Sequence, residues 1–196
     1  MRIYFYTFLL LSFSSFGQGT VLFNDDFQQG IPGSFSMLDL DLNTPNTQVS
    51  EFNAAWIAVV DPENALDTVA AATSFFENPD TANRWLITPA INLDASTAEQ
   101  LTFKTNVGYY NGDALSVYVS TDFTGNSADI GDATWLAVDA TLPQGPTSGY
   151  GTTFTNSGPI NVSCLEGNMY VAFKYLGSST GITTTFQVDD VKVTGN

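Results

Sequence analysis

The chain has 196 residues, 43% of them apolar and 13% aromatic, with five Lys or Arg against twenty Asp or Glu and a formal charge of −15. That balance excludes nucleic acid and anionic membrane surfaces as partners, because both select clustered Lys and Arg. It has no histidine, which removes His-based acid–base catalysis, Ser-His-Asp triads and His-ligated zinc or copper.

The N-terminus reads as a secretory signal peptide over residues 1–18. Arg2 supplies the positive region, and Ile3 to Phe16 form an apolar stretch ending in small and polar residues. The stretch is shorter than the roughly 20 residues that span a bilayer, and no cysteine follows it for lipid attachment. Without Arg2, four cations face twenty acids, a net of −16 on a solvated extracellular surface that suits bound cations or simple solubility. Residues 19–196 are expected to form a single soluble domain, with no second apolar stretch long enough to insert into a membrane.

Along that domain, strand signals recur at short intervals. Val21 to Phe27 alternates, and Ala54 to Val60 is a short apolar run closed by an Asp61-Pro62-Glu63-Asn64 turn. Val69 to Phe76 and Arg84 to Thr88 follow, the latter stopped by Pro89. Leu101 to Tyr110 and Ala114 to Thr121 flank Asn111-Gly112-Asp113, a spacing that predicts a β-hairpin. Trp135 to Leu142, Gly151 to Thr155, Met169 to Leu176 and Thr184 to Val193 complete about ten strands. One helical turn is predicted near Asp94 to Gln100. The class is all-β, a two-sheet antiparallel β-sandwich or jelly roll. The single cysteine, Cys164, has no internal partner, and its apolar-polar context predicts a small core residue.

Two acidic pairs interrupt apolar strand patterns, Asp25-Asp26 and Asp189-Asp190. Period-2 alternation places Asp25 with Phe23 and Phe27, and Asp189 with Val191 and Val193, so one carboxylate of each pair aims at the core. With cations so scarce, a hard oxygen-seeking ion such as Ca²⁺ would satisfy both if the first and last strands lie side by side. Equally, the pairs could mark strand ends where Asp accepts from free backbone N–H groups. The loop Asn78 to Arg84 offers Asp80 and Asn83 as further oxygen ligands, or is a plain polar turn. For ligand contact, Tyr109 and Tyr110 stand beside a turn, Tyr150 sits between glycines, and Trp135 flanks a polar loop.

Several of these segments together resemble one family. Phe23-Asn24-Asp25-Asp26-Phe27 with Ile31-Pro32-Gly33 is similar to the "EDFE…P.GW" opening of the cleaved-adhesin, or choice-of-anchor J, domains of Bacteroidetes secreted and surface proteins, including gingipains. Ala71 to Phe76 and Ala82 to Leu93, with Trp85-Leu86-Ile87-Thr88-Pro89 at their centre, resemble its "ADRWLITP.I.L" core. Leu115 to Thr121 resembles "L.VYVST", Tyr170 to Tyr175 "VYIAFR", and Val188 to Val191 the closing "IDDV". The resemblance spans the whole exported chain and implies a MAM-like jelly roll with structural Ca²⁺ that binds proteins or glycans. It places Asp25 and Asp189 at metal-ligand positions, with Asn83 where the family often has Asp. The chain departs from the pattern at Phe35, where Trp is usual, and at Asp25, where Glu is usual. It also ends at Asn196 without the family's C-terminal sorting segment, as a released or truncated product would.

Three functions follow as expectations. The leading one is a secreted or cell-surface adhesin-type domain that binds extracellular protein or glycan and catalyses nothing. The second is a carbohydrate-binding module accessory to a secreted hydrolase. The third is a hydrolase built on paired carboxylates.

Overall fold

The computed structural model describes residues 19–41, 56–75 and 81–196, and the predicted signal peptide and Asp80 lie outside them. The strands are β1 (Thr20–Asp25), β2 (Ser36–Asp39), β3 (Ile57–Asp61), β4 (Asn64–Ala72), β5 (Thr81–Ile87), β6 (Ile91–Asn92), β7 (Gln100–Gly108), β8 (Leu115–Ser120), β9 (Leu136–Ala137), β10 (Thr155–Asn156), β11 (Ile160–Asn161), β12 (Asn168–Ser178) and β13 (Thr185–Gly195). One sheet runs β10-β7-β13-β4-β3, with β1 beside β13 and β11 beside β7. The other runs β2-β5-β12-β8-β9, with β6 beside β12. All pairings are antiparallel, giving the two-layer β-sandwich that the alternating apolar pattern predicts.

The core is built from alternate positions of the long central strands. Leu101, Phe103 and Val107 of β7 and Phe186, Val188, Val191 and Val193 of β13 are buried on one side. Leu86 of β5, Val117 of β8, and Val171 and Phe173 of β12 face them. Phe103 and Phe173 meet edge-on across the layers at 5.1 Å between ring centroids. Phe35 is buried in this core and packs against Phe27 at 5.5 Å.

Four expectations need correction. β7 and β8 are not a hairpin, because they lie in different sheets and residues 109–114 cross between the layers. The Asn-Gly signal is local, whereas here the Asn111 side chain is spent on the β12–β13 connection. It accepts from the backbone N–H of Thr183 and Thr184 (2.9 and 3.0 Å) and donates to the Gly181 carbonyl. A Cβ at Gly112 would come within 2.8 Å of Ile182, so the two connections pack tightly at one end. Replacing Asn111 with Ala should cost about 2 kcal/mol, read from urea midpoints, since several backbone groups lose their partner.

Second, the only helical turn among the described residues is a 3₁₀ turn at Ser127–Asp129, N-capped by the Asn126 side chain, while residues 94–99 form tight turns. Third, of Trp135 to Leu142 only Leu136–Ala137 pairs as a strand. Fourth, Cys164 is exposed rather than core. It should react stoichiometrically with a thiol reagent in the native protein, and labelling that required denaturant would contradict its position.

Candidate ligand-binding end and cation site

β7 ends at Gly108, and its continuation is shaped by two docked loops. Tyr109 takes a positive φ of 51°, and its N–H donates to Gly149 O (2.9 Å), while Tyr110 N–H donates to Pro146 O (2.9 Å). Gly108 forms an isolated bridge with Tyr150, whose ring lies so close that a Cβ at Gly108 would stand 2.5 Å from it. Only glycine admits that approach. Tyr109 meets Tyr150 edge-on, with centroids 5.7 Å apart. The Tyr150 hydroxyl bonds the Thr185 side chain, yet burial raises its pKa. The Tyr110 hydroxyl donates to Asp113 Oδ1 at 2.8 Å, a bond that raises its pKa, and Gln144 Nε2 donates to the same carboxylate.

Three sequence-predicted residues, Tyr109, Tyr110 and Tyr150, are therefore brought to one end of the sandwich, with Tyr109 56% exposed. Phe75, 64% exposed, stands at the same end. Its backbone follows Thr73 and Ser74, whose hydroxyls bond the Thr183 and Ile182 carbonyls.

Trp135 lies elsewhere, on the outer face of the β2-β5-β12-β8-β9 sheet. Its ring packs on Trp85 (5.2 Å) and Phe123 (5.3 Å), and its indole N–H donates to Ile130 O. Phe123 is itself buried, so this aromatic group pins the loop between β8 and β9 to the sheet. Asn83 is on the same sheet, where its Oδ1 accepts from Trp85 Nε1 at 3.0 Å. Lys174 Nζ stands 4.9 Å from the centre of the Trp85 ring.

The acidic pairs lie on neighbouring strands of the opposite sheet. β1 and β13 do lie side by side, with Asp25 opposite Val191. The pairing of β13 with β7 skips a residue between Asp189 and Lys192, and Asp190 takes φ 48°, the signature of a bulge. The bulge resets the alternation. Asp189 consequently follows Gln187 onto the outer face, not the Val191 and Val193 face that strict period-2 spacing predicts. β4 pairs with β13 before the bulge and β1 pairs with it afterwards, so Asp189 sits where the three strands meet.

Asp189 is only 6% exposed and its Oδ1 has no hydrogen-bond partner. Loss of hydration, with like charge from Asp190 and Asp67, drives its pKa up to about 7 despite a backbone hydrogen bond and Lys104. Asp190 is paired with Lys104 Nζ at 2.5 Å. Asp67 of β4 accepts from Gln28 Nε2, and Asp25 Oδ1 accepts from Phe27 N–H at 2.9 Å while burial raises its pKa.

An orphaned buried carboxylate oxygen among all-oxygen donors fits a hard cation in donor type. No three Asp, Glu, Cys or His side chains stand at metal-ligand spacing among the described residues. Backbone carbonyls, the Gln28 amide and water would complete the shell. Asn83 is in the other sheet, and Asp25, opposite Val191, is on the face away from Asp189, so the three predicted ligands are not brought together. Asp67, which the structure places beside Asp189, was not singled out in the sequence because a lone acid in Leu66-Asp67-Thr68-Val69 carries no pattern of its own.

No helix among the described residues is long and apolar enough to cross a membrane. The chain is similar to two crystal structures from Porphyromonas gingivalis W83, the K1 and K3 cleaved adhesin domains of Lys-gingipain. Each is 21% identical over 91% of this chain, covering 99% of the K1 and 100% of the K3 chain, with TM-scores of 0.60 and 0.59. The chain shares the fold of these domains. No curated protein matches it. A family model described as a domain of unknown function (DUF5017) matches residues 91–194, more than half of the sequence, and the chain belongs to that family.

Proposed function

We propose that this protein is an exported, non-catalytic binding domain that takes an extracellular glycan or protein at its tyrosine-bearing end. The observation that carries this reading is the convergence of Tyr109, Tyr110 and Tyr150, with exposed Phe75, on three connections that hydrogen-bond one another. Rigid aromatic side chains on braced loops supply contact area at small entropic cost, the usual make-up of binding hot spots. The missing histidine removes the commonest acid–base group, and the fold shared with adhesin domains agrees with binding.

A structural Ca²⁺ belongs to the same proposal. Asp189, with Asp67 beside it and water and backbone carbonyls for the rest of the shell, would hold it where β4 meets β13. The ion would supply the positive charge that those carboxylates lack, and the residues would fix the bulge without taking part in any reaction.

The test is saturable binding of the exported chain to glycan arrays, extracellular-matrix proteins and fixed cells. Binding to one of these should weaken about tenfold with Tyr109→Ala, a typical loss for one aromatic contact. Absence of saturable binding on every surface, or release of cleaved product from a bound glycan, would contradict the proposal.

A further inference from the structure

We infer that the groove beside Tyr150 is a subsite for an uncharged oligosaccharide, an inference that rests on the tyrosine-bearing end being the binding end. The groove has a volume of about 450 Å³ and runs between β7 and residues 143–155. That size lies within the range of small-ligand sites.

Its lining is chemically uniform. Ser148, Thr152, Thr153 and Thr155 present four hydroxyls, and none of the four makes a hydrogen bond to another described residue. Elsewhere hydroxyls are spent on the backbone, as in Ser157 Oγ accepting from Phe103 N–H and Thr184 Oγ1 donating to Gly112 O. Pro143, Pro146 and the Tyr150 ring add rigid apolar surface suited to the C–H face of a sugar ring.

No charged side chain lines the groove. The cations of the exported chain are placed elsewhere: Arg84 is buried against the Thr73 carbonyl, Lys104 is paired with Asp190, Lys174 lies over Trp85, and Lys192 borders a separate groove. An acidic sugar would meet no positive partner here, on a protein of formal charge −15. Uncharged hydroxyl recognition is what remains.

The groove is also preformed. Three backbone hydrogen bonds tie its loop down: Tyr109 N–H to Gly149 O, Tyr110 N–H to Pro146 O, and Gly151 N–H to Val107 O. Asn106 fixes its floor, donating to Gly151 O at 2.7 Å and accepting from Val107 N–H at 2.9 Å. Little ordering remains to be done when a ligand enters.

The experiment titrates the exported chain with gluco-, manno-, galacto- and xylo-configured trisaccharides and with uronic-acid and sulfated counterparts. An uncharged trisaccharide should bind with affinity nearly constant from about 0.05 to 0.5 M NaCl. The paired substitution Thr152→Val and Thr153→Val should weaken it about tenfold with an unchanged melting temperature, as expected for losing two hydrogen bonds. Binding lost with Tyr109→Ala but unmoved by the paired substitution would overturn the groove and leave the tyrosine-bearing end standing. So would a preference for charged glycans, or protein binding without glycan binding. No binding to any glycan, protein or cell surface would overturn both.

Discussion

Adding Ca²⁺ to metal-free protein spanning residues 19–196 should raise its melting temperature by about 5–10 °C, and EDTA should reverse the gain. The magnitude follows from mass action. A ligand at about 100 times its Kd stabilises by about 2.7 kcal/mol, and a domain of this size gains about 2–4 °C per kcal/mol. The physical source is Asp189, whose buried Oδ1 lacks a partner and whose neighbours Asp67 and Asp190 are also acids.

Asp189→Asn should abolish the Ca²⁺ response while raising stability in EDTA at pH 8, because it removes a buried charge but keeps the shape. The sign of the pH dependence follows. Burial pushes the Asp189 carboxyl up to about 7 in the folded state, from the ordinary aspartate value of 3.8 that it has when unfolded. Without a cation the folded state therefore holds the proton more tightly, and stability falls as pH rises from about 4 through 7. Asp189→Asn should flatten that decline, and saturating Ca²⁺ should remove it in the parent chain by favouring the ionised form. Identical melting curves with Ca²⁺ and with EDTA would refute the cation.

The second large effect is on binding. Tyr150→Ala should weaken ligand binding by about 30-fold or more, the scale of a buried hot spot. Tyr150 combines roles that no neighbour duplicates. Its ring rests on Gly108, its edge meets Tyr109, its hydroxyl bonds Thr185, and it walls the groove. Tyr150→Phe keeps the ring and gives up only the bond to Thr185, so it should retain most of the affinity. Surface-plasmon titration of both variants separates loss of the ring from loss of the hydroxyl. Equal, undiminished affinity in both would remove Tyr150 from the site.

Much of the fold was legible because a half-buried strand writes its burial into every second residue. The pattern of Leu115 to Ser120, with Leu115, Val117 and Val119 inward, is an example. The adjacency of the first and last strands entered only as a condition of the cation reading; the pairing of β1 with β13 meets it, although Asp25 and Asp189 face opposite ways. What failed was nonlocal. The strand pattern around Asn111-Gly112 does not say which sheet each strand joins, and the Asn111 side chain finds its partners about 70 residues away. The face of Asp189 depends on a bulge at Asp190, a backbone event that two adjacent aspartates do not announce.

The residues proposed for ligand contact differ in where the fold places them. Tyr109, Tyr110 and Tyr150 were proposed from turn and glycine contexts, and their loops converge in space. Trp135 had an equally suggestive context, but its indole is committed to Ile130 O and its ring to Trp85 and Phe123. Cys164 looked internal because its neighbours Val162 and Leu165 pack inward, although its own side chain is exposed.

Hydrogen–deuterium exchange on residues 19–196, free and with the ligand found on the arrays, tests the central claim most directly. Protection should concentrate in residues 109–113, 143–155 and 181–184, the connections that carry and brace the tyrosines. Protection confined to the outer face around Trp85, Tyr118 and Trp135, with residues 109–113 and 143–155 unchanged, would place the binding surface on the other sheet and contradict it.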